Sequence, residues 1–335
     1  MNKRHILILS LLLAAGLVTA QDSTKVKLFD YSKLQPLVHF FANAEMNLDP
    51  GITEDNSLWI GRAQFGFNYQ YNKKWSGKIL VDRTKLEGSM NTMFLKLANL
   101  QWTPDDRWTI AGGAIVSNSF IPQEKFWDYR FIAETFQDRY YGITSTDLGF
   151  SAAFRISKMM SVDVAVTNGE GPRIDQDVFG KFKLAGGFTM HPTDRLQFRT
   201  YYHHKASGVA VANREQLFML FAAYQLDDRF RIGGEFNYVD GYRNTPDFVT
   251  YGGSVYGNVT LWKTLKLVAR YDRLIMDNPG EEILVYPVSG HAVITGLSVN
   301  PVKGIGLCLN YQGFVPDDGA EKMTNRILFS FEYRL

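Results

Sequence analysis

The chain has 335 residues, of which 36 are basic, 34 are acidic and 14% are aromatic. This near-neutral balance argues against a general nucleic-acid-binding surface, and the single cysteine, Cys308, excludes an internal disulfide framework. After residue 20 no apolar run approaches the roughly twenty residues that a transmembrane helix needs. A helical membrane protein is therefore excluded, and the periodicity of the remaining chain has to decide the fold class.

The first residues are predicted to be a secretory signal peptide. Lys3 and Arg4 form a basic start, residues 6–18 form an apolar stretch, and Val18-Thr19-Ala20 supplies a small-residue cleavage site. The apolar stretch is too short to cross a bilayer. Removal of this segment leaves 34 basic and 34 acidic residues. The predicted organisation is a signal peptide at 1–20, a short polar lead at 21–35 and a transmembrane β-barrel at 36–335.

Apolar and polar residues alternate with a period of two through most of the chain after the lead. Successive side chains of a strand point to opposite faces, so each alternating stretch has one apolar and one polar face. Sixteen segments fit this pattern, each near the length that a tilted strand needs to cross an outer membrane. The fourth, tenth and fourteenth alternate poorly. The predicted strands are 36–46, 57–71, 75–84, 92–103, 107–117, 146–156, 160–168, 181–190, 196–205, 215–225, 229–239, 248–261, 265–274, 289–299, 304–314 and 325–335.

The connections between these segments alternate between short and long. Residues 72–74, 104–106 and 262–264 are examples of the short class, whereas residues 47–56 and 169–180 belong to the long class. A chain that crosses a membrane repeatedly produces this pattern, with turns on one side and loops on the other. A soluble sandwich has no reason to sort its loops by length. The sequence therefore predicts an all-β fold, a 16-stranded antiparallel transmembrane barrel whose last strand closes the sheet.

One connection, from Ser117 to Thr146, is far longer than the others. It is dense in charged and aromatic residues, and its aromatic content argues against disorder. A loop of this length in a compact fold is usually functional. We predict that it lines or narrows the lumen; the alternative is a loop that packs on the outer rim and stabilises it. The candidate constriction residues are Glu124, Lys125, Asp128, Arg130, Glu134, Asp138 and Arg139.

Four short motifs carry a family resemblance: residues 127–132 (WDYRFI), 146–149 (TDLG), 168–171 (NGEG) and 270–272 (RYD). In them the chain resembles the family of porins O and P, a phosphate-selective porin group with many relatives of unassigned substrate. The resemblance implies a sixteen-stranded barrel, usually trimeric, that passes small anions or other small solutes. On its residues alone, the stretch 168–171 favours a tight turn that tolerates positive φ over a ligand site.

The polar faces of the predicted strands carry more basic than acidic residues. Rings of like charge concentrate counter-ions, so this excess predicts a modest anion preference, with phosphate as one candidate solute. The alternative for each residue is structural, an acid–base pair that holds a hydrated wall in place. The long loop is not basic, which argues against a dedicated phosphate site. The candidate residues of the basic lumen wall are Arg62, Lys78, Arg155, Lys181, Lys183, Arg199, Arg231, Lys266 and Arg270.

Sequence motifs of catalysis are absent: the chain contains no Gly-x-Ser-x-Gly elbow, no phosphate-binding loop and no His-Glu-x-x-His helix. His203 and His204 are neighbours on a strand and point to opposite faces, so they cannot share a metal. No catalytic residue, metal or cofactor is therefore predicted.

The sequence predicts a passive, water-filled channel in the outer membrane of a Gram-negative bacterium. Its expected partners are outer-membrane lipid, lipopolysaccharide and small hydrophilic solutes or anions, with no nucleic acid. A homotrimer is implied by the resemblance. Two alternatives stay open: a non-conducting structural or adhesive barrel whose loops bind a partner, and an outer-membrane barrel enzyme.

Overall fold

The computed structural model describes residues 30–49, 56–85, 91–173, 180–207, 214–277, 288–317 and 323–335. The predicted signal peptide and most of the predicted lead lie outside these ranges. A short 3-10 helix, Tyr31–Lys33, precedes the first strand, and the Asp30 carboxylate caps it by accepting a hydrogen bond from the Ser32 amide at 3.1 Å.

Within the described residues, sixteen antiparallel strands form one closed barrel in which each strand pairs with its neighbours in sequence. The predicted 16-stranded antiparallel barrel is confirmed, and each predicted strand overlaps one observed strand. The strands are β1 (Leu34–Asn47), β2 (Ser57–Gln70), β3 (Trp75–Lys85), β4 (Asn91–Trp102), β5 (Trp108–Val116), β6 (Thr146–Arg155), β7 (Met160–Thr167), β8 (Lys183–Thr193), β9 (Leu196–Lys205), β10 (Glu215–Gln225), β11 (Phe230–Asp240), β12 (Val249–Trp262), β13 (Leu265–Asp277), β14 (Gly290–Val299), β15 (Ile305–Pro316) and β16 (Thr324–Arg334).

The first and last strands close the barrel, with His39 opposite Arg334 and Asn47 opposite Arg326. The apolar face that runs through β16 to the end of the chain therefore belongs to a paired strand, as predicted. Short connections lie at one end of the barrel, hereafter the turn end, and long connections at the other, hereafter the loop end. Among the described residues, none of the helices combines the length and the apolar character needed to span a bilayer.

The two faces of the barrel wall differ in polarity as the alternation predicts. Outward side chains include the well-exposed Phe65 and Phe150, whereas inward positions carry buried polar groups such as Arg62 and Gln64. Trp75 and Trp102 stack on each other at the turn end, with ring centroids 5.7 Å apart, at the level where outer-membrane barrels carry an aromatic girdle.

Strand β10 departs from this alternation because both of its faces are apolar. Its inward side chains Leu217, Met219 and Phe221 are buried, while the outward Phe218 and Leu220 are exposed. The poor alternation of the tenth segment thus reflects an apolar surface inside the barrel.

Strand β4 alternates poorly for a different reason. Its pairing with β3 shifts register: Leu80 lies opposite Leu97 and Val81 opposite Leu95, so Lys96 has no partner in the ladder. This extra residue is a β-bulge, which reverses the inward–outward order of the residues beyond it.

Candidate pore site

The long connection between β5 and β6 contains two short helices that the sequence analysis did not predict, α1 (Ile121–Trp127) and α2 (Phe136–Tyr141). Pro122 lies in the first turn of α1, where its missing N–H costs nothing. Asp128 and Gly142 end the two helices in the left-handed conformation, with φ of 60° and 65°. The loop is therefore an ordered, helical segment.

The aromatic side of this loop packs against the inward face of the wall. Trp127 is 1% exposed and meets the rings of Tyr129 and Tyr256 at centroid distances of 5.3 Å each. The ring centroid of Phe126 lies 6.1 Å from that of Phe221 of β10. The buried wall residues that share a cluster with the loop aromatics are Phe41, Tyr201, Leu217, Met219, Phe221, Ala223, Val239, Tyr256, Val268, Leu274, Ile294 and Cys308. The aromatic side of the loop thus packs on the inward face of strands β9–β15, and the same cluster reaches β1 through Phe41.

Two glycines of the wall make room for the loop aromatics. A Cβ atom at Gly233 of β11 would lie 2.9 Å from the ring of Phe126, and one at Gly252 of β12 would lie 2.7 Å from Phe136 Cζ. A larger residue at Gly233 would collide with the loop, whereas one at Gly252 would collide both with the loop and with the Arg273 carbonyl of the β13 backbone.

Polar side chains fix the position of the loop over this apolar contact. Gln137 Nε2 donates to Asn237 Oδ1 at 2.7 Å, and Tyr140 Oη donates to Asp272 Oδ2 at 2.9 Å. Between the two helices, the carbonyl of Ile132 accepts a hydrogen bond from Gln312 Nε2 of β15 at 3.0 Å. Because buried polar groups are costly when unpaired, each of these contacts favours one docked position of the loop.

Four of the seven candidate constriction residues form one charged cluster centred on Arg130. Its guanidinium lies 3.2 Å from Glu124, 3.3 Å from Glu134 and 2.7 Å from Asp138. Burial raises the pKa of Asp138, and the neighbouring Arg130 acts in the opposite direction. Arg130 also interacts electrostatically with Arg62 and Asp82 of the facing wall. The cluster therefore faces strands β2 and β3.

The other three candidate constriction residues lie apart from this cluster. Lys125 is exposed and interacts electrostatically with Lys78 of β3. Asp128 lies 3.7 Å from Arg231 and 3.9 Å from Arg334. Arg139 stacks its guanidinium 5.5 Å from the ring centre of Tyr140. The seven residues are thus distributed over the loop and do not form a single ring.

Eight of the nine candidate basic wall residues occupy inward strand positions, and five of those are within 4 Å of a carboxylate. The ion pairs are Arg62–Asp82 at 3.7 Å, Lys183–Asp147 at 3.1 Å, Arg199–Asp163 at 2.6 Å, Arg231–Asp128 at 3.7 Å and Arg270–Asp272 at 2.7 Å. The arginines and lysines of this wall are therefore largely compensated, as in the structural alternative given above.

The remaining four basic wall candidates differ from one another. Lys78 and Lys266 are inward and partly exposed, and Arg155 donates to the Asp106 carbonyl at the turn end. The placement of Lys181 in the wall is wrong: this residue is exposed and precedes β8. The ladder starts only at Lys183, the first residue of β8 with partners on both sides, Thr167 and Lys205.

Asp147 is a structural residue that the sequence analysis missed. Its buried carboxylate accepts hydrogen bonds from the amides of Gly169 and Gly171, each at 3.1 Å, and lies 3.1 Å from Lys183 Nζ. Gly169 and Gly171 have φ of 84° and 81°, so the predicted tight turn with positive φ is confirmed. The motifs at 146–149 and 168–171 thus form one unit.

No group of three or more potential His, Cys, Asp or Glu ligands is placed to hold a metal ion in the part of the chain that the structure describes. His203 is buried and faces inward, 3.1 Å from Glu215, whereas the adjacent His204 is partly exposed.

No protein-family model matches this chain. No curated protein sequence matches it either. Solved structures do resemble it. The outer membrane channel DcaP of Acinetobacter baumannii aligns with a TM-score of 0.67 and 15% identity over 90% of this chain and 97% of that protein. OmpF of Salmonella typhi aligns with a TM-score of 0.67 and 12% identity over 90% of this chain and 97% of that protein.

A mutant of the Rh. blastica porin aligns with a TM-score of 0.59 and 12% identity, over 90% of this chain and the whole of that protein. The chain has the porin barrel fold. Because the identities are low, this likeness extends to the fold alone, and the resemblance to porins O and P stays a prediction.

Proposed function

We propose that this protein is an outer-membrane porin, a passive channel through which small hydrophilic solutes diffuse. The observation that carries the proposal is the asymmetry inside the barrel. The long loop covers the inward face of β9–β15, while β2–β6 line a separate cavity of 410 Å³ with polar side chains. Asn68, Lys78, Asn99, Gln101 and Ser151 contribute to that lining. A barrel of sixteen strands is wide enough to hold an aqueous channel.

We place the constriction of the proposed passage between the Arg130 cluster and the wall residues of β2 and β3 that interact with it. On the wall side, Asp82 binds Lys96 at 2.7 Å and lies 3.7 Å from Arg62. The loop and the wall therefore present closely spaced charges of both signs. A solute that passes between them meets a strong local field with a small net charge.

A modest anion preference is part of the proposal, and it rests on fewer residues than the nine-residue wall. Most of those nine are compensated by carboxylates. Lys78 of β3 and Lys125 of the loop, in contrast, interact electrostatically with each other, and neither amine forms an ion pair with a carboxylate of the described residues. Two ammonium groups without carboxylate partners attract an anion, phosphate included, without forming an enclosed site for it.

Single-channel recording of the refolded protein in a planar bilayer under a salt gradient tests this function. Steady conductance with an anion-selective reversal potential is expected, and Lys78→Gln should reduce that selectivity. Block of the channel current by low concentrations of phosphate would identify phosphate as a specific solute of the channel. A heat-modifiable barrel that never conducts would instead favour the structural or adhesive alternative.

The surroundings of the barrel belong to the same proposal. The exposed apolar belt of the outer wall fits lipid and lipopolysaccharide, and export through a cleaved signal peptide would deliver the chain to the outer membrane. A homotrimer is proposed from the family resemblance. Chemical cross-linking in native membranes tests the oligomer, and N-terminal sequencing of the purified protein tests the cleavage.

A further inference from the structure

A second cavity, of 670 Å³, opens at the loop end of the barrel, apart from the passage along β2–β6. Four connections contribute to its lining: the end of the long loop at residues 141–144, the β7–β8 connection at Gly169 and Glu170, the β9–β10 connection at Ser207, and the β11–β12 connection at residues 242–244. The ends of β8, β9, β10 and β11 complete its wall. Its volume lies in the usual range for pockets that bind small molecules.

The cavity is lined by basic groups and by carboxylates, several of which lie close to one another. Lys205 Nζ lies 3.3 Å from Glu170, and His203 Nε2 lies 3.1 Å from Glu215. Lys183 is held by Asp147 just behind the wall, and the guanidinium of Arg243 lies over the ring of Tyr242. The cavity therefore combines positive and negative groups whose charges nearly cancel.

One ring nitrogen of His203 forms a hydrogen bond, and the other has no partner among the described residues. Its Nε2 faces the Glu215 carboxylate, which can only accept, so Nε2 carries the hydrogen. Its Nδ1 is buried and has no hydrogen-bond partner among the described residues. Buried polar atoms without a partner are rare, and one in a residue that lines a cavity marks the cavity as a candidate binding site.

The backbone around the cavity is held in an unusual conformation. Four lining residues have left-handed φ values: Gly142 at 65°, Gly169 at 84°, Arg243 at 52° and Asn244 at 59°. For residues other than glycine this conformation is strained, and it persists where the surroundings impose it, often at binding sites. Here Glu215 fixes the loop by accepting a hydrogen bond from the Arg243 amide at 2.8 Å.

We propose that this cavity binds small zwitterionic solutes, such as free amino acids or short peptides, on their way into the channel. The inference rests on the proposed channel function, because solutes reach the cavity through the loop end of the lumen. The ammonium group of such a solute interacts with Glu170 and Glu215, while its carboxylate interacts with Lys205 and Arg243.

Electrostatics favours a dipolar solute over a simple ion at this site. A monovalent anion is attracted by Lys205 and Arg243 but repelled by Glu170 and Glu215 at similar range, and a cation meets the reverse. A zwitterion satisfies both sets at once and adds no net charge to the cavity. Ile143 and Val239 in the lining provide apolar surface that a small apolar side chain of the solute can contact.

The test is single-channel recording with trialanine, its N-acetylated form and its C-terminal amide added to the loop side. Free trialanine should produce transient interruptions of the current, and each capped form should produce at least about tenfold fewer at equal concentration, the factor that 1.4 kcal/mol of lost affinity represents. Glu170→Gln and Lys205→Gln should each reduce the interruptions similarly. Lys158→Gln, in an exposed turn at the opposite end, is the matched control and should behave as the wild type.

Equal interruption by the free and N-acetylated peptides would overturn the zwitterion site, as would wild-type behaviour of Glu170→Gln with unchanged basal conductance. These outcomes leave the channel function standing. If the wild-type barrel does not conduct, the proposed function fails, and isothermal titration of the micellar protein with the same three peptides still decides the site: selective heat from free trialanine supports it, and no selectivity refutes it.

Discussion

Replacement of Trp127 by alanine should release the long loop from the wall. Trp127 is 1% exposed, packs between Tyr129 and Tyr256, and donates from Nε1 to the Ala133 carbonyl at 2.9 Å. Truncation of a buried tryptophan costs about 3–5 kcal/mol. The sixteen strands of the barrel do not depend on this contact, so the loss should appear as undocking of the loop. Since 1.4 kcal/mol is a factor of ten, the undocked fraction should rise by about a hundredfold or more.

The chain provides its own reporter for this event. Cys308 of β15 is its single cysteine, is 1% exposed and belongs to the cluster that the loop covers. When the loop undocks, a water-soluble maleimide can reach the thiol from the lumen. The labelling rate of Cys308 in Trp127→Ala should therefore exceed that of the wild type by about a hundredfold, the factor by which the undocked fraction grows.

The control is Trp262→Ala, which removes an equally large side chain that is 68% exposed at the turn end, where β12 ends. This variant should label at the wild-type rate, and both variants should keep heat-modifiable mobility. If Trp127→Ala labels no faster than Trp262→Ala, the loop does not depend on this core and the reasoning is refuted.

Three further predictions concern charge. Arg130→Gln should shift the reversal potential toward cation selectivity. One charge about 5 Å from a passing ion changes the energy of that ion by about 0.8 kcal/mol in water, which changes its local concentration about fourfold. The control Arg195→Gln, in an exposed turn, should leave the reversal potential unchanged. Because burial raises the pKa of Asp138, this carboxylate takes up its proton on acidification at a pH above the ordinary pKa of about 3.9. The cluster then becomes more positive, so anion selectivity should rise as the pH falls through this range. In Asp138→Asn, a titration of selectivity against pH should not show this rise. Asp147→Asn should lower the stability of the turn at Gly169 by about 1–3 kcal/mol, measured as faster amide hydrogen exchange in residues 168–171 with unchanged exchange in β16.

The strand positions could be predicted because they depend on a local property. Apolar and polar residues must alternate along a strand that contacts lipid on one face and water on the other, and the turns at one end of such a barrel are short. The two helices of the long loop were missed because each has only one or two turns. Pro122 and Gly142 are the local signals that mark their ends, but both are common in ordinary loops.

The charge pairing could not be predicted because it depends on which strands are neighbours and in what register. Arg199 and Asp163 are 36 residues apart in the sequence and meet only through β8, which lies between their strands. Arg130 and Glu134 are separated by four residues, a visible spacing, but Glu124 and Asp138 join them only after the loop has folded back on itself. An excess of basic residues in sequence therefore overestimated the free positive charge of the wall.

The two apolar faces of strand β10 have a consequence for the chain before it folds. From Leu217 to Tyr224 the chain runs through eight uncharged residues without glycine or proline. In the folded barrel, one face of this segment is covered by the long loop and the other meets the apolar outer surroundings. In the unfolded chain nothing covers either face, and such a segment has the composition that promotes intermolecular β-aggregation. The residues that hold the loop in place in the folded barrel are therefore the ones that have to be kept from self-association before the barrel forms, and under the proposed export they would need that protection throughout transit.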